Sequence, residues 1–174
     1  RDHLFEQLDR LLSENDIAYL KWDCNRFLFP AVSTRGPAAA HIIRGTYALM
    51  DRLREAHPNV EIESCASGGA RIDLEILKRA MRVWPSDSTD AIERVRIQRW
   101  ANLILPLETI GAHVGPSPNP ITGRELPMAF RARVAMFGHL GVEMDPRRLN
   151  PKDLETLAIH VAHYKNFRGL LHSG

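Results

Sequence analysis

Five short apolar runs recur along the chain, each followed by a cluster of polar or glycine residues and then by a longer amphipathic stretch. They are IAYLKW (17–22), VEIESCA (60–66), MRVWPS (81–86), IGAHVG (110–115) and LGVEMD (140–145). Runs of this length bounded by turn-forming residues predict strands. Between them the apolar spacing changes to that of helices. Over 41–58, Ile42, Ile43, Thr46, Tyr47, Leu49, Met50 and Leu53 fall on one helical face, and Pro58 closes the segment. Residues 90–105 open with Asp90 and carry Glu93 three positions later, the spacing of a capping box. Residues 153–167 set Leu154, Leu157, Val161 and Tyr164 on one stripe, and an opening helix over 1–16 precedes the first strand. The predicted order is a helix, then five strands each followed by a helix, with no Asn-Gly hairpin signal between strands. Such alternation implies parallel strands joined by right-handed crossovers.

Two architectures fit that order, an open doubly wound sheet and part of a (β/α)8 barrel. The polar residues separate them. Lys21, Asp23, Asn25, Cys65, Trp84, Asp87, His113 and Asp145 all fall at or just past the C-terminal ends of successive strands. A doubly wound sheet gathers its ligand at one switch point, whereas a barrel converges every such end on one pocket. A whole barrel needs about 250 residues and eight strands. The expectation for residues 1–174 is therefore an α/β segment, the later part of a (β/α)8 TIM-type barrel from the third helix through the eighth βα unit. Alone, such a segment would leave two sheet edges exposed.

Charge excludes some partners. The 23 Lys and Arg nearly balance 21 Asp and Glu, for a net charge of +2, and the charges interleave along stretches such as DRLREAHP and DAIERVRIQRW as on solvated helix faces. Neither a nucleic-acid nor a membrane partner is expected, and no apolar run approaches the roughly 20 residues of a membrane span. Cys24 and Cys65 are too few for a disulfide framework and read as reduced thiols lining a pocket or core. Because the chain begins at Arg1, the lack of a signal peptide proves little.

Among the carboxylates, Asp73 and Asp90 are expected to cap the helices that follow them. Asp23 has no such use, because the next predicted helix starts more than ten residues later, after FLFPAVSTRGP. With Asp90 as the cap in WPSDSTD, Asp87 is left to face the barrel axis. Two inward carboxylates suit glycoside cleavage, one as nucleophile and the other as general acid and then base; acidic residues are also common in barrel mouths without such a role. Lys21, two residues before Asp23, shares its side of the strand and favours the ionised carboxylate, or forms a structural salt bridge. Trp22 then points outward into the helix layer. Gly68 and Gly69 either let a ligand approach the backbone or make the βα turn, and no P-loop Lys follows them. Only His113 is at a strand end, while the i, i+3 pair His160 and His163 reads as packing or surface residues, so no metal is expected.

As a set, YLKWDCNR, ESCASGGARID, VWPSDSTDAIERVRIQ and GAHVGPSPNPITGR resemble, in order and approximate spacing, the catalytic barrel of microbial α-galactosidases of glycoside hydrolase family thirty-six. AFRARVAMFGHLGVEMD looks like the closing strands of that barrel. The resemblance implies that Asp23 is the nucleophile and Asp87 the acid/base of a retaining double displacement with no cofactor. It further implies that Lys21 and Asn25 hold sugar hydroxyls, that Cys65 and Gly68 line the pocket near the 2-hydroxyl, and that Trp84 forms a pocket wall. The implied substrates are α-galactoside oligosaccharides of the melibiose and raffinose type. Ala70 and Ile72 in GGARID, Ser88 in SDSTD and Cys24 depart from the family's usual residues without removing a reacting group. The family's sugar-gripping residues on earlier strands and its N-terminal β-sandwich are expected to be absent from this chain, so the segment alone is expected to be weakly active or inactive. A cytoplasmic, homo-oligomeric parent protein is the corresponding expectation. Two alternatives remain, a raffinose-type galactosyl transferase and a noncatalytic sugar-binding barrel fragment.

Overall fold

The computed structural model describes residues 2–25, 32–33 and 36–173. The chain forms two compact units, Arg1–Met81 and Arg82–Gly174. The first contains α1 (Asp2–Glu14), β1 (Tyr19–Trp22), the two-residue strands β2 (Val32–Ser33) and β3 (Gly36–Pro37), α2 (Ala39–Ala56) and β4 (Glu61–Ser64). β1 and β4 pair in parallel, with Lys21 opposite Glu63 and Trp22 opposite Ser64, and α2 is the crossover between them. β2 and β3 form a small antiparallel ladder that the sequence reading did not anticipate. One side of the β1–β4 pair is closed by Leu12, Leu49 and Leu53, against which Phe5, Leu8, Ile17, Trp22 and Val60 pack. Trp22 thus lies in the helix layer as expected. Strand alternation turns Tyr19, Lys21 and Glu63 to the other side.

Two sequence expectations fail in this unit. Of the predicted face of α2, Tyr47, Leu49, Met50 and Leu53 are buried, but Ile42 and Ile43 in its opening turns are exposed. Both line an open cavity together with Cys24, Asn25, Ala66 and Ser67. β4 is also not followed by an α-helix. Ser67 and Gly68 take positive φ values of 47° and 76°, and only a 3₁₀ turn, Ile76–Lys78, forms before the next strand. Left-handed backbone is cheap at Gly68 and ends any helical path there. Asp73 consequently caps that turn rather than a helix, accepting from the Ile76 amide at 2.7 Å and from the Tyr47 hydroxyl at 2.6 Å.

The second unit contains β5 (Arg82–Val83), α3 (Ala91–Ala101), β6 (Gly111–Val114), α4 (Met128–Ala135), β7 (His139–Val142) and α5 (Pro151–Leu171). β6 and β7 pair in parallel with α4 between them, and Val83 bridges to Ile110 in the same sense. The core joins Val114, Met128, Ala132, Ala135 and Leu157, with Leu140, Met144, Leu149 and Val161 against it. On α5, Leu157 and Tyr164 are buried while Leu154 is exposed. Gly138 is required by space as well as by its φ of +144°, since a Cβ there would lie 2.6 Å from the Ile110 carbonyl oxygen. Both units thus show the α/β pattern of parallel strands with covering helices. No helix among the described residues is long and apolar enough to cross a membrane.

Candidate active site

The first unit presents a carboxylate at the end of β1. The side chain of Asp23 accepts from the Cys24 amide at 2.8 Å and from the Asn25 side-chain amide at 2.7 Å. The Cys65 thiol donates to it as well. Burial works against ionisation of Asp23, yet these three donors and the positive charge of Lys21 outweigh it and hold the carboxyl below its usual range. Asn25 is itself fixed, its side-chain oxygen accepting from the Ser67 amide at 2.9 Å and the Ser67 hydroxyl at 3.3 Å. Burial pushes the Cys65 thiol up to about 11, with the adjacent Asp23 adding to the shift and the Gly68 amide opposing it. A thiol in that range stays protonated at neutral pH and acts as a neutral donor. Lys21, Asp23, Asn25, Cys65 and Gly68, singled out separately in the sequence, are therefore linked through contacts around one carboxylate.

That reading missed Glu63, which is 2% exposed on β4 opposite Lys21. Its Oε1 lies 3.2 Å from Lys21 Nζ, and its Oε2 accepts from the Tyr19 hydroxyl. The Lys21 contact is ionic rather than an aligned hydrogen bond, so Oε1 remains without a hydrogen-bond donor although it sits within ion-pair distance.

A second carboxylate stands in the other unit. Asp87 is exposed, and its Oδ1 accepts from the indole Nε1–H of Trp84 at 3.0 Å. Trp84 itself is buried, 2% exposed, and the bond to Asp87 is its polar contact with that carboxylate. The Arg94 guanidinium lies 4.4 Å from the indole centroid and the His113 ring 4.3 Å from it at a 35° tilt. Arg94, 1% exposed, is anchored in turn on the carbonyls of Ser86 and Gly111 and on Gln98 Oε1. His113 is paired with Glu143 at 2.9 Å. Asp90 caps α3, accepting from the Ile92 and Glu93 amides at 2.9 and 3.1 Å, and so is occupied structurally. Asp145 caps a 3₁₀ turn and is bound by Arg147. Among the described residues no group of three or more His, Cys, Asp or Glu could hold a metal ion. His160 is buried, with Nδ1 2.8 Å from the Thr156 carbonyl oxygen.

The family model for melibiase matches residues 1–174. The chain belongs to the melibiase family. It is similar to the α-galactosidase of Escherichia coli, with 43% identity over 173 residues, covering 99% of this chain and 24% of that protein. It is also similar to α-galactosidase 1 of Pediococcus pentosaceus, with 38% identity over 180 residues, covering 100% of this chain and 25% of the relative. Among solved structures, a variant of the GH36 α-galactosidase AgaA from Geobacillus stearothermophilus in complex with raffinose superposes with a TM-score of 0.94 at 34% identity, covering 99% of this chain and 25% of that one. This member of the melibiase family thus spans about a quarter of the length of the curated relatives it matches. Its α/β fold with parallel strands matches that of the solved GH36 α-galactosidase over a quarter of that chain.

Proposed function

We propose that this melibiase chain carries the two reacting carboxylates of an α-galactosidase that hydrolyses terminal α-D-galactosyl residues with retention, Asp23 as nucleophile and Asp87 as acid/base. The observation that carries the reading is the state of Asp23: an exposed strand-end carboxylate that caps no helix among the described residues and is held ionised by three donors and Lys21. A nucleophilic carboxylate must be ionised before substrate arrives. In the first step, Asp23 attacks the anomeric carbon, the glycosidic C–O bond breaks, and Asp87 gives its proton to the departing oxygen. The product is a galactosyl ester on Asp23. In the second step Asp87 takes a proton from water, the resulting hydroxide attacks the same carbon, and galactose leaves in its original anomeric form with Asp23 regenerated. No step calls for a metal or an organic cofactor.

Lys21 and Asn25, both beside Asp23, are suited to hold sugar hydroxyls, with Cys65 and Gly68 completing that side of the pocket and Trp84 supporting Asp87. The substrate class is α-1,6-galactosides of the melibiose and raffinose type, a choice supported by the raffinose complex of a relative. The relatives' names favour hydrolysis over transfer to a sugar acceptor. In this reading the 174 residues are one segment of the catalytic barrel, from its third helix through its eighth βα unit, within a longer protein.

The test uses the full-length protein with p-nitrophenyl α-galactoside. Asp23→Ala is expected to abolish hydrolysis, and added azide to restore turnover with β-galactosyl azide as product, since azide attacks from the face the carboxylate left vacant. A variant as active as the parent, or azide product of α configuration, overturns the assignment.

A further inference from the structure

We propose that Glu63 is a positioning residue for catalysis, which sets the ammonium of Lys21 for the sugar and for Asp23; this rests on the α-galactosidase reading above. Burying a carboxylate is costly unless its charge is met, and Glu63 is 2% exposed in a strand whose neighbours Ile62 and Ser64 are also buried. An apolar residue of similar volume would serve packing at least as well, because buried ion pairs seldom add net stability. What Glu63 supplies is direction. It lies opposite Lys21 in the parallel register, meets Nζ at 3.2 Å, and is held from its other oxygen by the Tyr19 hydroxyl.

Lys21 needs such an anchor. Its four-carbon stem has large rotamer freedom, and its ammonium offers three donors with no preferred plane. The side chain is 38% exposed while that of Glu63 is 2% exposed. The pair therefore has a fixed, buried end and a solvent-facing end. A charge-charge contact on the buried side fixes the direction of the ammonium, whose positive charge also acts on Asp23. Tyr19, Lys21 and Asp23 alternate onto one side of the chain, so a single strand carries the brace, the cation and the carboxylate in steps of two residues.

The experiment is a variant series in the full-length protein, with kcat/KM measured on raffinose and on p-nitrophenyl α-galactoside. Glu63→Gln keeps shape and loses charge; Glu63→Asp keeps charge and shortens the arm. A positioning role through charge predicts a loss of roughly tenfold to a hundredfold for Glu63→Gln, the scale of one charged contact, and a smaller loss for Glu63→Asp. In a Lys21→Met background, Glu63→Gln is expected to cost less than about twofold more, since it has no cation left to place. A purely structural role gives the reverse order, Gln better tolerated than Asp, and equal losses in both backgrounds; either result overturns the proposal. If Glu63→Gln does not fold, Tyr19→Phe replaces it, with a loss expected only while Lys21 is present and a loss independent of Lys21 counting against the proposal. Azide rescue of Asp23→Ala is run in parallel. Its failure strikes the α-galactosidase reading, whereas its success with additive Glu63 effects strikes this inference alone.

Discussion

One hydrogen bond from Trp84 orients the carboxylate of Asp87, the proposed general acid. The indole donates to Oδ1 of Asp87 at 3.0 Å, and Arg94 and His113 pack against its ring. Trp84→Phe keeps the packing and removes the donor. If Asp87 is the acid, kcat/KM should fall about tenfold for raffinose, where the departing sugar oxygen requires its proton, and by less for p-nitrophenyl α-galactoside, whose leaving group departs as an anion. Equal losses on both substrates would show that Trp84 acts on something other than proton transfer. As candidates, the two carboxylates stand out in the sequence for a local reason. No helix start lies near Asp23, and Asp90 takes the capping duty that could otherwise explain Asp87. Glu63 and Arg94 were not legible, because nothing local distinguishes a charged residue in a strand or helix that faces solvent from one that faces a buried partner. The only trace was a Glu in the otherwise closed run from Ile62 to Ala66.

At the level of elements, apolar periodicity located every predicted strand and the helices that carry an apolar face, because both signals follow directly from which side meets the core. It says nothing about a helix whose inner face is polar. α3 is such a helix: Arg94 and Gln98 are buried, with Gln98 donating to the carbonyls of Val134 and Phe137 at 3.0 Å, while Ile92, Val95 and Trp100 are exposed. Its position is secured instead by the cap. Asp90 accepts from two amides, from the Thr122 hydroxyl at 2.6 Å and from Arg124 at 2.7 Å. Burial opposes ionisation there, but the hydroxyl, the amides and Arg124 together hold the carboxyl below its ordinary 3.8. Because the folded value is depressed, this stabilisation is complete above 3.8 and is lost as pH falls through the folded value beneath it. Asp90→Ala should therefore cost about 2–4 kcal/mol near neutral pH, a cap plus a buried charged contact. Urea unfolding of the full-length protein, followed from neutral pH down into strong acid, should show the gap between variant and parent narrowing. The helix expected after β4 is a single 3₁₀ turn, Ile76–Lys78: LEILKRA has helical composition, but little chain lies between Asp73, which binds the Ile76 amide, and the opening of β5 at Arg82.

Across the whole molecule, the catalytic assignment and the amount of chain present make opposing demands. A retaining pair has to hold its carboxyl groups about 5–5.5 Å apart, a tolerance that barrel enzymes meet by closing eight strands on themselves. On the barrel-segment reading, residues 1–174 would supply five of its strands, and among the described residues β1 pairs only with β4, and β7 only with β6. An unpaired strand edge is a template for further pairing. Large apolar side chains are also open to solvent, among them Trp100 at 63%, Leu103 at 69% and Ile104 at 75%, and exposed apolar area of this kind favours association. A polypeptide of these residues by itself is therefore expected to have little or no α-galactosidase activity and to self-associate, while the full-length protein turns over p-nitrophenyl α-galactoside. Activity assay with size-exclusion chromatography and light scattering on both would decide it. A monodisperse 174-residue chain with normal turnover would mean that Asp23 and Asp87 reach their working separation without the remaining strands, and the barrel-segment reading would then have to be given up even if both carboxylates kept their roles.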